Sequence, residues 1–377
     1  MSETAAHRAG AARRETADEV FAPGWRAAPC WLDDAPAAPP AATAPPARAD
    51  VVVIGSGYTG LNAALKTARG GRDTVVLEAG DPGQGCSTRN GGHVSRSIKP
   101  SRAELARRFG PERGDAIRDE GRAALDWLER FVAAEGIDCA FRRAGRFEGA
   151  HTPAAYEALA RDAERRMREE GYEAHAVPRA EQHRELGTDF YHGGVVFAAV
   201  AQVQPAQYHR GLLHRVAEAG AAVVAHCPAL AIRREAGGFE IATPQATVRA
   251  RDVVVATNGY TSALTPWLRR RVIPIQSSVI ATEPLSPDTL ARLFPTGRIA
   301  SDTRRVVYYY APSPDGRRIV FGGRVSAGAR GPEVTAPRLR RAMARIFPEL
   351  ASARVSHAWS GNVAYSFDTL PHAGVHE

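Results

Sequence analysis

The sequence predicts an α/β protein of two lobes, one built on a parallel β-sheet and the other on an antiparallel sheet. Its 377 residues exceed what a single hydrophobic core usually holds. An apolar run at 51–54 leads directly into a glycine-rich turn and then a helical pattern. Beyond residue 220, short apolar runs separated by turn residues indicate a series of antiparallel strands.

Residues 51–78 have the pattern of a strand, a helix and a second strand. The run at 51–54 is apolar and β-branched, which is typical of a strand covered on both faces. Gly70 and Gly71 provide a natural helix stop before the second apolar strand at 74–78. The segment therefore predicts one βαβ unit, whose helix packs through Leu61, Ala64, Leu65 and Ala68.

The turn at 55–60 carries a G-x-G-x-x-G motif in the context that a dinucleotide requires. Gly55 lets the chain turn off the strand, Gly57 lets the backbone approach a pyrophosphate, and Gly60 lets the helix pack on the strand. The helix N-terminus offers N–H groups to phosphates. Glu78 is placed to accept adenosine ribose hydroxyls and would repel the 2′-phosphate of NADP, so NAD and FAD remain. The alternative is a structural glycine turn.

The segment that follows Glu78 carries a specific resemblance. Its sequence, G-x-G-x-S-T-R-N-G-G-H at 83–93, resembles flavin amine oxidases of the D-amino-acid oxidase/glycine oxidase superfamily, in the gamma-glutamylputrescine oxidoreductase-like branch. The resemblance implies a Rossmann-like FAD-binding domain and a discontinuous, antiparallel-sheet substrate domain, as in glycine oxidase. It also covers the segments at 204–212, 255–260, 281–285, 321–324 and 367–371.

The resemblance begins at about Ala49, and the Ala- and Pro-rich residues before it predict an arm. Trp25 and Trp31 in this arm are expected to pack against the main body, because indoles need a surface to cover them. The expected boundaries are an arm at 1–48, an FAD-binding domain at 49–100, 185–265 and 330–377, and a substrate domain at 101–184 and 266–329.

The resemblance also implies which residues form the cofactor site. The pyrophosphate would lie at the glycine turn, the adenosine ribose at Glu78, and the flavin along the S-T-R-N-G-G-H segment. The backbone near Ala229 and Leu230 would contact the adenine. The T-N-G segment at 257–259 would form a second dinucleotide turn, although an ordinary turn after a strand would also explain it. The expected cofactor-binding residues are Gly55, Ser56, Gly57, Thr59, Gly60, Glu78, Ser87, Thr88, Asn90, Gly91, Gly92, Ala229, Leu230, Thr257, Asn258 and Gly259.

The candidate catalytic residues are His93, Tyr308, Tyr310 and Arg324. On an alternating strand, Tyr308 and Tyr310 share a face and Tyr309 points to the other, so at least one tyrosine is core or surface. His93 either lies near the flavin or fixes the loop. Arg324 either binds a substrate carboxylate bidentately or forms an ion pair that closes a hairpin.

The implied reaction is hydride transfer from the carbon that bears an amine to flavin N5, with O2 or another electron acceptor reoxidising the ring. The substrate would be an amine or amino acid, with a gamma-glutamylputrescine-like compound as one candidate. One alternative is an NAD-dependent dehydrogenase. Another is a catalytically impaired nucleotide-binding remnant, because the sequence stops at Glu377 where the resemblance leads us to expect a further flavin-binding segment.

Composition excludes several other classes. The net charge of +8 comes from scattered arginines without an aromatic-interleaved basic stripe, which argues against a nucleic-acid partner. The four cysteines lack C-x-x-C spacing, so we expect no metal site and a reducing, cytoplasmic location. No run approaches the ~20 apolar residues that a membrane span needs.

Overall fold

The computed structural model describes residues 16–324 and 328–376. These residues form nine α-helices: α1 (Ala17–Val20), α2 (Tyr58–Arg69), α3 (Arg102–Phe109), α4 (Pro111–Ala134), α5 (Pro153–Glu170), α6 (Pro205–Glu218), α7 (Pro266–Arg269), α8 (Pro287–Leu293) and α9 (Pro332–Ile346). The same residues form 17 strands: β1 (Phe21–Arg26), β2 (Arg48–Ile54), β3 (Thr74–Leu77), β4 (His93–Ser95), β5 (Arg146–Gly149), β6 (Ala174–Val177), β7 (Gly194–Phe197), β8 (Val200–Gln202), β9 (Ala222–Val224), β10 (Ala231–Glu235), β11 (Gly238–Ala242), β12 (Thr247–Val255), β13 (Val272–Thr282), β14 (Ile299–Asp302), β15 (Tyr308–Pro312), β16 (Ile319–Gly323) and β17 (Val355–Ser366).

The first sheet contains the predicted βαβ unit. Its strand order in the described residues is β10-β11-β12-β2-β3-β9, and the pairs from β12 to β9 are parallel. Val52 and Val53 are fully buried, as expected for a strand covered on both faces. The parallel register places the carboxyl ends of β2, β3 and β12 at one edge, where open α/β sheets bind their ligands.

The second sheet is larger and forms the roof of the other lobe. Its order, within the described residues, is β1-β17-β13-β16-β15-β14-β5-β7-β6, with mostly antiparallel pairs. One face packs on α9 through Leu339, Met343 and Ile346. The opposite face turns toward the first lobe and packs Val279, Val320 and Trp359 against Trp31 and Ala206. The two sheets confirm the predicted α/β class.

Not every strand after residue 220 is antiparallel in the way the sequence suggested. Strand β9 pairs with β3, and β12 pairs with β2, in parallel register. The remaining β10 and β11 form an antiparallel extension of the first sheet. Apolar runs alone indicate a buried strand and do not distinguish these two pairings.

Sheet membership also differs from the predicted domain boundaries. Strand β17 and strand β7 fall in segments assigned to the FAD-binding domain, yet both pair within the second sheet. Strand β1, from the predicted arm, pairs in parallel with β17. We propose a division by sheet, because ladder hydrogen bonds make each strand part of the sheet that pairs it.

The arm packs against the body as expected. Trp31 is only 2% exposed, and Trp25 stacks on Phe21 beside the core under the second sheet. In residues 16–324 and 328–376, no helix is long and apolar enough to cross a membrane. The same residues hold no group of three or more His, Cys, Asp or Glu side chains that could bind a metal ion.

Candidate active site

The glycine turn between β2 and α2 has no room for Cβ atoms at Gly55 and Gly60. Gly55 has a φ of +103°, and a Cβ there would lie 2.8 Å from the Ala256 carbonyl oxygen. A Cβ on Gly60 would overlap the Gly55 carbonyl oxygen, so α2 can approach β2 only through glycine. Gly57 is the N-cap of α2, and Thr59 is exposed in its first turn. The first turn of α2 is thus partly accessible at Thr59, at a helix N-terminus of the kind that binds phosphates.

Glu78 is held in place at the end of β3. Its Oε2 accepts hydrogen bonds from the Ser56 N–H (2.9 Å) and hydroxyl (2.6 Å), and its Oε1 accepts from the Gly80 N–H (3.1 Å). His209 donates from Nε2 to the Ser56 carbonyl at 2.8 Å. Burial lowers the pKa of His209 to about 4, so this ring is neutral at neutral pH. The carboxylate is half-buried and oriented at the edge where the sheet ends.

Residues 86–92, called here the 86–92 loop, lie beside the start of α2. The Ser87 hydroxyl accepts from the Tyr58 N–H at 3.0 Å, and the buried Thr88 hydroxyl donates to the Gly83 carbonyl at 2.7 Å. Asn90 closes the loop, because its amide donates to the Ser87 carbonyl (2.9 Å) and accepts from the Gly92 N–H (2.9 Å). These bonds fix the loop between the glycine turn and the second sheet.

The second turn follows β12 and contacts β17. Asn258 has a φ of +45°, and its side-chain oxygen accepts from the Ala364 N–H at 3.0 Å. A Cβ on Gly259 would lie 2.7 Å from the Asn362 carbonyl oxygen. Thr257 is the N-cap of the short 3-10 helix Asn258–Tyr260. The turn therefore joins the two lobes at the carboxyl edge of the first sheet.

Ala229 and Leu230 follow β9 at that edge. Ala229 is half-buried against the core on the outer face of the first sheet. Leu230 is 59% exposed, and its N–H donates to the Ala242 carbonyl at 2.8 Å. The structure therefore places both residues at the edge of the first sheet, with the Leu230 N–H bound within the protein.

His93, in the two-stranded ladder of β4 and β8, meets Tyr309 of the second sheet. Their rings lie 5.7 Å apart in an edge-to-face arrangement. The Tyr309 hydroxyl is hydrogen-bonded to the Ser277 hydroxyl at 2.9 Å. Burial, and then the positive charge of Arg146, lower the pKa of His93 to about 3. Burial raises the pKa of Tyr309 to about 12, so both groups are neutral at neutral pH.

The three tyrosines of β15 lie on two different faces of the second sheet. Tyr310 is fully buried, and its hydroxyl bonds to the Tyr191 hydroxyl at 2.8 Å in the core that packs on α9. Tyr308 shares that face, where the Arg304 guanidinium lies 4.6 Å from its ring centre. Alternation was predicted correctly, but it does not say which face meets the site. The tyrosine that faces His93 and the 86–92 loop is Tyr309.

Two glycines that contact the Tyr309 ring distinguish it from the neighbouring tyrosines. A Cβ on Gly91 would lie 2.7 Å from the Tyr309 ring, and a Cβ on Gly322 would overlap the ring. Two glycines from separate motifs thus leave the space that one aromatic ring fills. The register of β15 and β16 places Tyr309 opposite Gly322. Without that register, the sequence does not indicate that these two glycines lie against the same ring.

Arg324 lies just after β16 and is exposed. By strand alternation it follows Gly322 on the face that carries Tyr309. Its guanidinium lies 5.9 Å from the Tyr365 ring centre. Within the described residues, no carboxylate forms an ion pair with it, so the ion pair that would close the hairpin is not present there.

A model of the DAO family, described as FAD dependent oxidoreductase, matches residues 50–377. The chain belongs to the DAO family of FAD-dependent oxidoreductases. Its cofactor is therefore FAD, which confirms the prediction and decides against the NAD-dependent alternative. The open helix start, the oriented carboxylate and the glycine-lined loop fit a dinucleotide of this kind.

Known relatives and solved structures agree with this assignment. The chain is 31% identical over 325 residues to the probable oxidoreductase OrdL of Rhizobium meliloti (strain 1021), covering 86% of this chain and 75% of that protein. It is 28% identical over 338 residues to gamma-glutamylputrescine oxidoreductase of Escherichia coli (strain K12), covering 86% and 76%. The glycine oxidase structure from Geobacillus kaustophilus has a TM-score of 0.71 at 22% identity, covering 88% of this chain and 86% of that chain. This match confirms the glycine oxidase-like fold.

We expect Glu78→Ala to weaken FAD binding, because we propose that this carboxylate accepts the ribose hydroxyls. The loss of charge-assisted hydrogen bonds corresponds to about 1.5–3 kcal/mol, or about tenfold to one-hundred-fold in Kd. Titration of apoprotein with FAD measures it. Glu235→Ala, on an exposed part of β10, is the matched control. Equal affinity in the two variants would refute the ribose role.

The variants Tyr309→Phe and Tyr310→Phe test whether the two faces of β15 have different roles, one in the candidate site and one in the core. Loss of the Tyr309 hydroxyl should slow flavin reduction by substrate about 5- to 10-fold with little loss of stability, as one hydrogen bond is worth about 1–1.5 kcal/mol. Tyr310→Phe should lower the free energy of unfolding by about 1–3 kcal/mol, because it leaves the buried Tyr191 hydroxyl without its partner. Stopped-flow reduction and denaturant unfolding measure the two effects. The reverse pattern would contradict this assignment.

Proposed function

We propose that the protein oxidises an amine or amino acid and passes the electrons to O2 or another acceptor. The observation that carries the proposal is the pair of half-buried, neutral polar groups, His93 and Tyr309, whose rings meet beside the 86–92 loop. The similarity to gamma-glutamylputrescine oxidoreductase supports an amine as the substrate class. We also propose that the predicted cofactor-binding residues act as the sequence indicates, with the phosphates at the start of α2 and the ribose at Glu78.

The electrostatics of this site favour a neutral amine over an ammonium ion. FAD, when bound, accepts a hydride from the carbon that bears the amine. An amine can assist that departure only through its free electron pair. A partly desolvated site that also lies in the field of the Arg146 guanidinium disfavours a cation. His93 and Tyr309 both stay uncharged between about pH 5 and pH 10, because their pKa values are about 3 and about 12.

Arg324 gives the site a candidate anchor for the other end of the substrate. Its guanidinium has no ion-pair partner in the part of the chain that the structure describes, and it lies on the Tyr309 face. A planar guanidinium binds a carboxylate through two parallel hydrogen bonds. We therefore propose that the preferred amines carry a carboxylate away from the reacting carbon, as amino acids and gamma-glutamyl amines do.

The test of the proposed function is an anaerobic substrate screen of the FAD-loaded protein. Polyamines, gamma-glutamyl amines, amino acids and 2-hydroxy acids are mixed with the protein, and loss of the visible flavin absorbance is followed. We expect bleaching by amines, and peroxide release on admitting air would identify O2 as the acceptor. Bleaching by 2-hydroxy acids but by no amine would refute the proposal. No bleaching by any compound would favour a nucleotide-binding protein without this catalysis.

The pH dependence of flavin reduction should follow the substrate and not the protein. Below the pKa of the amine, the second-order rate constant should rise about tenfold per pH unit, because only the neutral fraction reacts. Above that pKa it should level off. Two substrates whose amines differ in pKa should therefore give displaced profiles in stopped-flow experiments. His93→Asn should keep the profile, whereas an inflection that is common to both substrates and lost in this variant would contradict the neutral assignment.

Arg324→Gln should separate carboxylated from uncarboxylated amines. We expect KM for an amino acid or gamma-glutamyl amine to rise about tenfold or more, since a hydrogen-bonded charge pair contributes about 1.5–3 kcal/mol. KM for a simple diamine should change little. Arg270→Gln, on the exposed turn before β13, controls for the loss of one positive charge. An equal change in KM for both substrate types would show that Arg324 does not bind the substrate carboxylate.

A further inference from the structure

Two buried indoles hold the backbone of the 86–92 loop. Trp31 donates from Nε1 to the Asn90 carbonyl oxygen at 2.9 Å, and Trp359 donates from Nε1 to the Arg89 carbonyl oxygen at 2.9 Å. The side chains are 2% and 1% exposed, and their rings lie 6.2 Å apart in an edge-to-face arrangement. One indole comes from the N-terminal segment and the other from β17. Two distant parts of the chain therefore bind consecutive peptide groups of one loop.

These contacts fix the direction of two N–H groups. The peptides are trans, so each N–H points away from the carbonyl of the same peptide group. The carbonyls of Arg89 and Asn90 face the indoles, and the N–H groups of Asn90 and Gly91 therefore face the opposite side. Among the described residues, the structure shows no hydrogen-bond acceptor for either N–H. Backbone donors in such a position need a partner.

The position of the loop indicates what that partner is. At one end, Ser87 binds the first turn of α2, where a dinucleotide phosphate would lie. At the other end, Gly91 lies against the Tyr309 ring on the roof of the site. FAD continues from its phosphates through the ribityl chain to the flavin ring, which would lie at the Tyr309 end of the loop. The flavin ring carries acceptor atoms along its edge, and it gains electron density when it is reduced.

We propose that Trp31 and Trp359 are positioning residues for the flavin. By donating to the Arg89 and Asn90 carbonyls, they orient the Asn90 and Gly91 N–H groups toward the flavin ring and polarise them as donors. Hydrogen bonds in series strengthen one another, and oriented donors stabilise charge that develops in a desolvated site. The two indoles thereby raise the affinity of the flavin for electrons. This proposal depends on the cofactor and not on which substrate is oxidised.

The N-terminal segment is anchored in a way that suits this role. Gln204 donates from Nε2 to the Trp31 carbonyl at 2.6 Å. Its side-chain oxygen accepts from the N–H groups of Ala206 (2.6 Å) and Gln207 (2.9 Å), which begin α6. One glutamine thus connects the start of a helix, the arm and, through the indole, the 86–92 loop. The orientation of Trp31 is set by the same scaffold that holds Ser56 through His209 on α6.

Phenylalanine substitutions distinguish hydrogen bonding from packing, because they keep an aromatic ring and remove the N–H. The variants are Trp31→Phe and Trp359→Phe, studied as FAD-loaded proteins. Trp25→Phe is the matched control, since Trp25 belongs to the same arm but stacks on Phe21 at 4.2 Å, on the other side of the second sheet. The measured quantities are the flavin midpoint potential and the Kd of sulfite, a small nucleophile that adds to electron-poor flavins.

We expect the sulfite Kd to rise about tenfold in Trp31→Phe and in Trp359→Phe. The midpoint potential should fall by about 30 mV, which is a tenfold change for a two-electron couple. Trp25→Phe should match the parent protein in both measurements. A purely structural role would lower the melting temperature and leave the potential and the sulfite Kd unchanged. That outcome would overturn the proposal.

A second measurement uses the unmodified protein and does not depend on whether the variants fold. Hydrogen exchange is compared between apoprotein and FAD-loaded protein for peptides that cover the 86–92 loop. We expect FAD to slow exchange at Asn90 and Gly91, because their N–H groups gain an acceptor. The Thr67–Gly71 region at the far end of α2 should be unaffected. Unchanged exchange at both amides would refute the proposed contact with the flavin.

Discussion

The fit of the Tyr309 ring between two glycines is the contact on which the arrangement of the site depends. Gly91 belongs to the loop of the first lobe and Gly322 to the sheet of the second, and neither position has room for a Cβ. The ring can therefore reach both backbones, place its hydroxyl on Ser277 and face His93. Because packed interiors tolerate little extra volume, a methyl group at either glycine would displace the Tyr309 ring.

Sequence patterns predict the first lobe well because its constraints are local. A buried β-branched strand, a glycine turn and an acidic residue at the next strand end lie within 30 residues, and each has a steric or electrostatic reason. The roof was harder to predict, since register and strand partners are set by distant segments. Alternation separated Tyr309 from its neighbours but could not tell which face was the core, and nothing local indicated that β1 would pair with β17.

Most charged side chains pair on the surface, and the groups that surround Tyr309 are neutral. The arginine-rich helix α5 pairs Arg165 and Arg166 with Asp162 on its own surface. Such exposed pairs contribute little to stability, and they account for dense arginine without a polyanionic partner. The polar groups that meet at the Tyr309 ring are the His93 imidazole and the Ser277 hydroxyl. Positive charge comes from Arg89 in the 86–92 loop, from Arg146, whose field acts on His93, and from Arg324 at the end of β16.

The parallel pairing of β1 with β17 has a consequence for the order of events during translation. Phe21 pairs with Val355. Strand β1 therefore has no pairing partner until more than 300 further residues have been synthesised. Contacts of such long sequence separation form slowly, because a large loop must close first. The glycine turn and its helix can form while the ribosome is still elongating. Trp359 exists only once β17 has been synthesised, so the proposed flavin contact of the 86–92 loop is completed after the glycine turn.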